Sequence, residues 1–582
     1  MSPNQRPARL ICTALTAALL AACSPPAQDS AADAARALTG AGKAGNPGTV
    51  PPAVPSAPPA PPAAEADAGA PRARPGAALT RQYAPQAYSA QPAAVSLLPA
   101  PSGYYAPPQA EERENYARYR DNPVVAAQEQ PVSTFGADVD TGSYTNVRRL
   151  LNEGRLPPPD AVRAEEFINY FDYGYATPDS RQQPFSIITE VSAAPWNPQR
   201  QLLKIGIQGY RVAPQDIPAA NLVFLVDTSG SMAERDKLPL IKGALKQLVA
   251  QLRPQDRVAI VTYAGQASMT LDSTPGDQKA RINAAIDELR AAGSTNGGAG
   301  LDLAYAQAAK GFVKGGVNRI LLASDGDFNV GATDLEDLKD KIARQRQGGI
   351  ALTTLGVGGG NFNDALAMQL ADAGNGSYHY LDSLREARKV LAAQMSSTLL
   401  TIARDVKIQV EFNPAVVAEY RLIGYEKRAL AREDFNNDRV DAGEIGAGAN
   451  VTALYEITPL AAGGARLDPL RYGKPAADAG PADELAFVRV RYKLPGASDS
   501  QLVEQAVPRA DARAAGTDGM RRAAAAAAFA QWLRGGKYLD DYSPAQIAAL
   551  ARGARGDDPH GLNAELAALV EMAAGLGTPA AP

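Results

Sequence analysis

Three clusters of oxygen-bearing side chains stand out, and each adjoins a regular element. The apolar run Asn221-Leu-Val-Phe-Leu-Val226 leads straight into Asp227-Thr228-Ser229-Gly230-Ser231. Strand, then Asp-x-Ser-x-Ser, then helix puts a carboxylate and two hydroxyls on one turn at the carboxyl edge of a sheet, where open α/β sheets hold their ligands. Gly293-Ser294-Thr295-Asn296 precedes another helical segment, and Ser324-Asp325-Gly326-Asp327 directly follows another strand. Carboxylates and hydroxyls without imidazole or thiolate suit a hard, octahedral cation, Mg²⁺ or Mn²⁺. Asp227, Ser229, Ser231, Thr295 and Asp325 are the candidate metal-holding residues.

Other constellations carry less. Asp434-Phe-Asn436-Asn-Asp438 has the 1-3-5 oxygen spacing of a calcium loop, but Arg439 stands where glycine belongs and Ile445 where the closing glutamate belongs. It is a possible second cation loop, with an Asx-rich turn as the alternative. Asp138-Val-Asp140-Thr141 spells the nucleophile motif of haloacid-dehalogenase-type phosphatases, yet Ser133 to Ala137 is a poor candidate for the buried strand that chemistry needs. A turn or helix-capping role is expected there. Gly356-Val-Gly358-Gly-Gly360 lacks dinucleotide spacing and reads as a tight strand-to-helix loop. His379, in a short strand, has no serine or cysteine nucleophile beside it in a recognisable motif. With only two histidines, His379 and His560, a multi-histidine zinc site is excluded.

The elements that must position these loops alternate. Strands are expected at 221–226, 257–263, 318–323 and 350–355, and helices at 238–252, 279–291, 299–313, 334–347, 363–373 and 383–399. That order predicts a doubly wound, mostly parallel sheet with helices on both faces. Before it, a helix is expected from Asp160 as cap to Phe171, then strands at 185–191 and 202–208. After it, strands at 406–412, 451–457 and 485–492 precede helices at 520–533, 543–551 and 562–573. The two strand-rich stretches are expected to form one β-sandwich into which the α/β unit is inserted.

On these residues the chain resembles a von Willebrand factor type A domain over roughly 219–398, its Asp227, Ser229, Ser231, Thr295 and Asp325 matching a complete metal-ion-dependent adhesion site. A wider resemblance, carried by Phe135 to Tyr144, Asn146 to Arg149, Glu165 to Phe171 and Asp438 to Glu444, is to bacterial envelope proteins that combine an N-terminal segment, an A domain and an uncharacterised C-terminal domain. The resemblance implies that Ser229, Ser231 and Thr295 act as direct hydroxyl ligands in the ligand-bound form. Asp227 and Asp325 would act mostly through waters.

The first 23 residues suggest an address. Arg6 and Arg9 precede an apolar run from Leu10 to Ala22, too short to span a bilayer comfortably, and Leu20-Ala21-Ala22-Cys23 looks like a bacterial lipobox with Cys23 as the lipidated residue. Of 45 prolines, 16 fall between Pro47 and Pro108, so that stretch can build no core. The expected organisation is a signal segment over 1–22, a tether over 23–120, a flanking helix and strands over 121–218, the A domain over 219–398, a β-rich part over 399–510 and helices over 511–582. The net charge of −4 argues against a nucleic-acid binder. The expected protein is a lipid-anchored component of the envelope, on the outer membrane, that binds a protein partner's acidic side chain through the metal. It is read as a binding module and not an enzyme. A structural scaffold without metal-dependent binding and a metal-dependent hydrolase are the alternatives; the hydrolase lacks an assembled acid–base pair.

Overall fold

The computed structural model describes residues 113–580 apart from 179–181, 327, 329–334, 469, 472–480, 555, 557 and 559. The expected signal segment, Cys23 and the tether as far as residue 112 lie outside the described residues, as do Asp327 and the start expected for the helix at 334.

Six strands build the central sheet in the order Tyr378–Tyr380, Ala351–Gly356, Val317–Ser324, Ala220–Asp227, Arg257–Tyr263, Ala267–Pro275. The first five are parallel, and the last, which the sequence did not suggest, closes the edge antiparallel to Arg257–Tyr263. Every residue of Ala220–Asp227 is buried, as a parallel strand covered on both faces must be. Successive residues feed opposite layers. Leu222, Phe224 and Val226 meet the helix Leu238–Gln251, whereas Val223 and Leu225 meet the helix Gly297–Lys310. Leu238, Ile241, Leu245, Leu248 and Val249 recur at helical spacing and line the first layer.

The strands on either side of this unit in sequence share two sheets. Asn197–Gly209 pairs with Asn450–Pro459 in one, and Val132–Gly136 pairs with Thr401–Phe412 in the other. Leu203, Ile205 and Ile207 from the first face Ile408, Val410, Val488 and Val490 from the second in one core. On the outer side of the first sheet, Leu202, Ile423 and Leu454 pack against a helical layer made of Gly142–Asn152, Ala164–Asn169, Asp518–Leu533, Pro544–Gly553 and Leu562–Leu576. Among the described residues no helix is long and apolar enough to cross a membrane.

Several local expectations are corrected. Residues 113–120, read as the end of the tether, are docked: Asn115 bridges Asn363, and the Glu114 carboxylate is buried against Arg149 at 2.8 Å. A strand does form at Val132–Gly136, because Phe135 is completely buried between the sheets. Thr141 then begins an unexpected helix, Gly142–Asn152, without a side-chain cap. The helix expected from Asp160 begins only at Ala164 and ends at Asn169. Pro159 to Ala161 form a separate turn and Val162 is extended, so Asp160 caps nothing and instead faces Arg118 at 3.5 Å. The last helix of the A domain is interrupted by a π-turn at Lys389–Ala393.

Candidate metal-binding site

Two neighbouring parallel strands, Ala220–Asp227 and Val317–Ser324, end side by side, with Val226 registered against Ala323. Their carboxyl ends therefore deliver Asp227 and Asp325 to one spot, both completely buried. Asp227 Oδ1 accepts the Ser229 N–H at 2.9 Å, which folds the first loop back on its own carboxylate. Asp227 Oδ2 accepts the Ser324 hydroxyl at 3.2 Å. Ser229 Oγ and Ser231 Oγ lie 3.1 Å apart, so both hydroxyls of the motif share one point.

Backbone bonds stitch the second loop to the first. Gly230 N–H donates to the Gly293 carbonyl at 2.9 Å, and Ala292 N–H donates to the Thr228 carbonyl at 2.8 Å. Thr295, half-buried, lies two residues beyond Gly293, just before the helix that Asn296 caps through the Ala299 N–H. The third loop turns sharply at Gly326, whose φ is +88° and whose Cβ would stand 2.1 Å from the Asn363 nitrogen. No other residue fits there, so the loop carrying Asp325 is locked against the loop carrying Asn361. Asp227, Ser229, Ser231 and Asp325 are thus brought together, and Thr295 is carried by a loop bonded to theirs.

The electrostatics of the two carboxylates differ. Burial, against the opposing hydrogen bonds from Ser229, pushes the Asp227 carboxyl up to about 6, with the Asp325 charge adding to it. None of the described cationic side chains forms an ion pair with Asp227. Asp325, by contrast, meets the Lys237 ammonium at 3.2 Å and the Asn361 amide at 3.3 Å. Lys237 is the neighbour of the site that sequence reading missed: it stands just before a helix, and only the fold turns it inward. Among the described residues no cluster of three or more His, Cys, Asp or Glu could hold a metal, so any cation here relies on hydroxyls as well as carboxylates. The donor set fits a hard divalent ion: neutral hydroxyls, one fully buried carboxylate without a cation, and a second carboxylate within its field.

The other candidates are occupied by the protein's own cations. The second cation loop is not formed. The Lys407 ammonium donates to the Asp434 and Asn437 carbonyls, Lys493 donates to the Asp438 carbonyl at 2.9 Å, and Arg491 and Ser500 take the Asp438 carboxylate. Asn436 is exposed at the end of a short 3₁₀ turn, Arg432–Asn436. Lysines of the adjoining strands take backbone carbonyls of the loop, and Arg491 and Ser500 take the fifth-position carboxylate, Asp438, that a calcium ion would need. Asp138 and Asp140 do follow a strand, but both are buried and held by Lys427 at 3.1 Å each, with Arg428 at 3.0 and 3.4 Å. Carboxylates paired in this way are structural counter-ions and not free nucleophiles. His379 is buried, with Nε2 against the Ser377 hydroxyl at 2.9 Å. A cleft of about 460 Å³ opens near Asp236 and Gly358, but its guanidinium groups, Arg148, Arg149 and Arg385, are already engaged by Asp382, Glu386, Glu565, Glu114 and Glu153.

Comparison with known proteins bears on the family and the fold. Residues 221–393 match the model of the von Willebrand factor type A domain, residues 110–204 a model described as von Willebrand factor, and residues 397–576 the model of the C-terminal part of the uncharacterized protein YfbK. The chain is 52% identical over 469 residues to the uncharacterized protein YfbK of Escherichia coli, which covers 79% of this chain and 81% of that protein. It is 29% identical over 164 residues to inter alpha-trypsin inhibitor heavy chain 4 of Mus musculus, covering 26% of this chain and 17% of that one. Among solved structures it is similar to a von Willebrand factor type A protein from Catenulispora acidiphila, at 17% identity and a TM-score of 0.39, covering 68% of this chain and 91% of that chain.

Proposed function

The chain belongs to the family of the Escherichia coli protein YfbK, with a von Willebrand factor type A domain at its centre, and on that premise we propose that it binds a partner protein through a divalent cation. Asp227, Ser229, Ser231, Thr295 and Asp325 would hold the ion, Mg²⁺ or Mn²⁺. The observation that carries this reading is the convergence of two completely buried carboxylates and two hydroxyls 3.1 Å apart on one sheet edge. A buried carboxylate with no cation beside it is costly, and a bound divalent ion offsets that cost. The ion supplies an electrophilic position to an anionic oxygen from outside, most simply a Glu or Asp carboxylate of the partner. The chain's own residues do the rest. Ser229 N–H fixes the rotamer of Asp227, the Ser324 hydroxyl fixes its second oxygen, and Gly326 pins the loop of Asp325.

We also propose, from the lipobox-like Leu20-Ala21-Ala22-Cys23 after an apolar run, a lipid-anchored envelope component held through Cys23 on a proline-rich tether, with the outer membrane as its site. Two acyl chains or more, at ~0.8 kcal/mol per buried CH₂, give a stable membrane anchor. Cys23→Ala should abolish lipid labelling and release the protein; equal membrane retention of a normally processed variant would rule the anchor out.

The metal test is calorimetry of Mg²⁺ with the EDTA-stripped full-length protein, followed by crosslinked partner capture from envelopes with Mg²⁺ or EDTA. Asp227→Ala should lose metal and partner together. Thr295→Ala should lose chiefly partner affinity, since by family analogy that hydroxyl is recruited when the partner binds. If Asp227→Ala binds both like the wild type, the domain is a scaffold.

A further inference from the structure

Lys237 is 4% exposed, and an ammonium is rarely buried unless something holds it. Here three elements do. Its backbone precedes the helix Leu238–Gln251; its ammonium donates to Asp325 Oδ2 and to Asn361 Oδ1, each at 3.2 Å. The stem crosses Gly358, whose φ is +70° and whose Cβ would stand 2.4 Å from Lys237 Cε. Any side chain at 358 would push the lysine out of place. Asn361 also donates to Asp325 Oδ2 at 3.3 Å, so Asp325, Lys237 and Asn361 form a closed triangle. Glu234, 3.8 Å from the ammonium, is on the exposed rim, and Asp236 is exposed as well. The buried partner of Lys237 is therefore Asp325, one of the carboxylates of the proposed metal site.

We propose that Lys237 is a built-in counter-cation of that site: it holds Asp325 when no divalent ion is bound, weakens divalent binding, and leaves the loaded site with surplus positive charge that selects a carboxylate ligand. The inference rests on the metal-site reading above. Asp227 and Asp325 alone would neutralise a divalent ion, and a neutral site attracts an external carboxylate weakly. With the Lys237 ammonium fixed at Asp325 and Glu234 facing it only from the exposed rim, one positive charge is left over among the buried groups, and in a buried site unpaired charge is expensive. An external anion is what completes the balance. The same ammonium repels the incoming cation and shares its carboxylate, so the affinity for metal falls as the demand for an anionic ligand rises.

The test is calorimetry of the full-length, EDTA-stripped protein with Mg²⁺ and with Mn²⁺, alongside thermal melting with and without metal. Lys237→Met should bind either ion at least about tenfold more tightly than the wild type, on Coulombic grounds. Its metal-free midpoint should fall and its metal-induced gain should exceed that of the wild type. Lys237→Gln keeps a donor near Asp325 without the charge; it should show the tighter binding with a smaller loss of metal-free stability. If both variants fold and bind the ions no more tightly than the wild type, while Asp227→Ala abolishes binding, Lys237 is a structural lysine and the proposal is overturned on its own. If the wild type binds neither ion, the metal-site reading fails and takes this proposal with it.

Discussion

At the scale of single residues, charge burial sets the expectations. Asp227 keeps a carboxylate in a place where burial disfavours the ion. Asparagine can accept the Ser229 N–H in the same geometry. Asp227→Asn should therefore melt, without metal, at or a few degrees above the wild-type midpoint, while the Mg²⁺-induced gain disappears. A large metal-free loss on differential scanning calorimetry would mean that the carboxylate is structural. His379 gives a pH prediction. Burial lowers its pKa from 6.5 to about 4. The unfolded chain thus takes up this proton before the folded one does, so the stability linked to His379 is full above pH 6.5 and is lost as pH falls toward 4. The loss amounts to roughly 3 kcal/mol. His379→Gln should flatten the stability difference between pH 6.5 and 4 measured by denaturant titration, relative to wild type. Identical slopes would place the titration elsewhere.

At the scale of elements, the helix Asp518–Leu533 explains how the C-terminal layer closes. Ala523 to Ala528 and Ala530 are completely buried, on every side of the helix. Alanine favours the helix and leaves no side chain to hold neighbours apart, so Ala164–Asn169, Pro544–Gly553 and the first sheet all approach closely. Phe529 is the exception: its ring meets Phe167 edge-on with centroids 5.9 Å apart. Phe529→Ala should cost about 3–5 kcal/mol and Ala526→Leu about 1–3 kcal/mol, the first by cavity and the second by overpacking. Urea unfolding checks both, and an Ala526→Leu variant as stable as wild type would show the layer to be loosely packed.

At the scale of the whole molecule, the A domain is not a free bead on the sandwich. Arg163, two per cent exposed at its side chain, pairs with Asp364 at 2.6 Å and with Glu166, and Asp364 also accepts the Tyr378 hydroxyl at 2.6 Å. Glu166 in turn meets Lys427 at 3.3 Å, which reaches Asp138 and Asp140. Gly142 lies so close to the Tyr378 ring that a Cβ there would stand 2.1 Å away, so the helix Gly142–Asn152 covers the edge strand of the A domain. Arg163→Leu leaves Asp364 buried without its cation and should cost about 3–5 kcal/mol. The excised stretch 219–398 exposes Phe362, Tyr378 and Tyr380 and should melt well below the full chain and associate. A monomeric fragment with an unchanged midpoint on scanning calorimetry would contradict this.

Local chemistry made part of this protein readable in its residues. Continuous apolar runs marked the parallel strands and period-3.6 patterns most helices, because a strand covered on both faces is apolar throughout and a helix on one face only. The three loops were readable too, since a strand end fixes where Asp227 and Asp325 emerge. Long-range pairing was not. Val132–Gly136 is a strand only because Thr401–Phe412 lies beside it, and the turn at Asp434 is closed by Lys407 and Arg491, distant in sequence. Lys237 looks like any surface lysine at the start of a helix until Gly358 and Asn361, more than a hundred residues away, turn it onto Asp325. Short segments carry their own hydrogen-bonding and burial preferences; which charge meets which is decided only when the chain closes on itself.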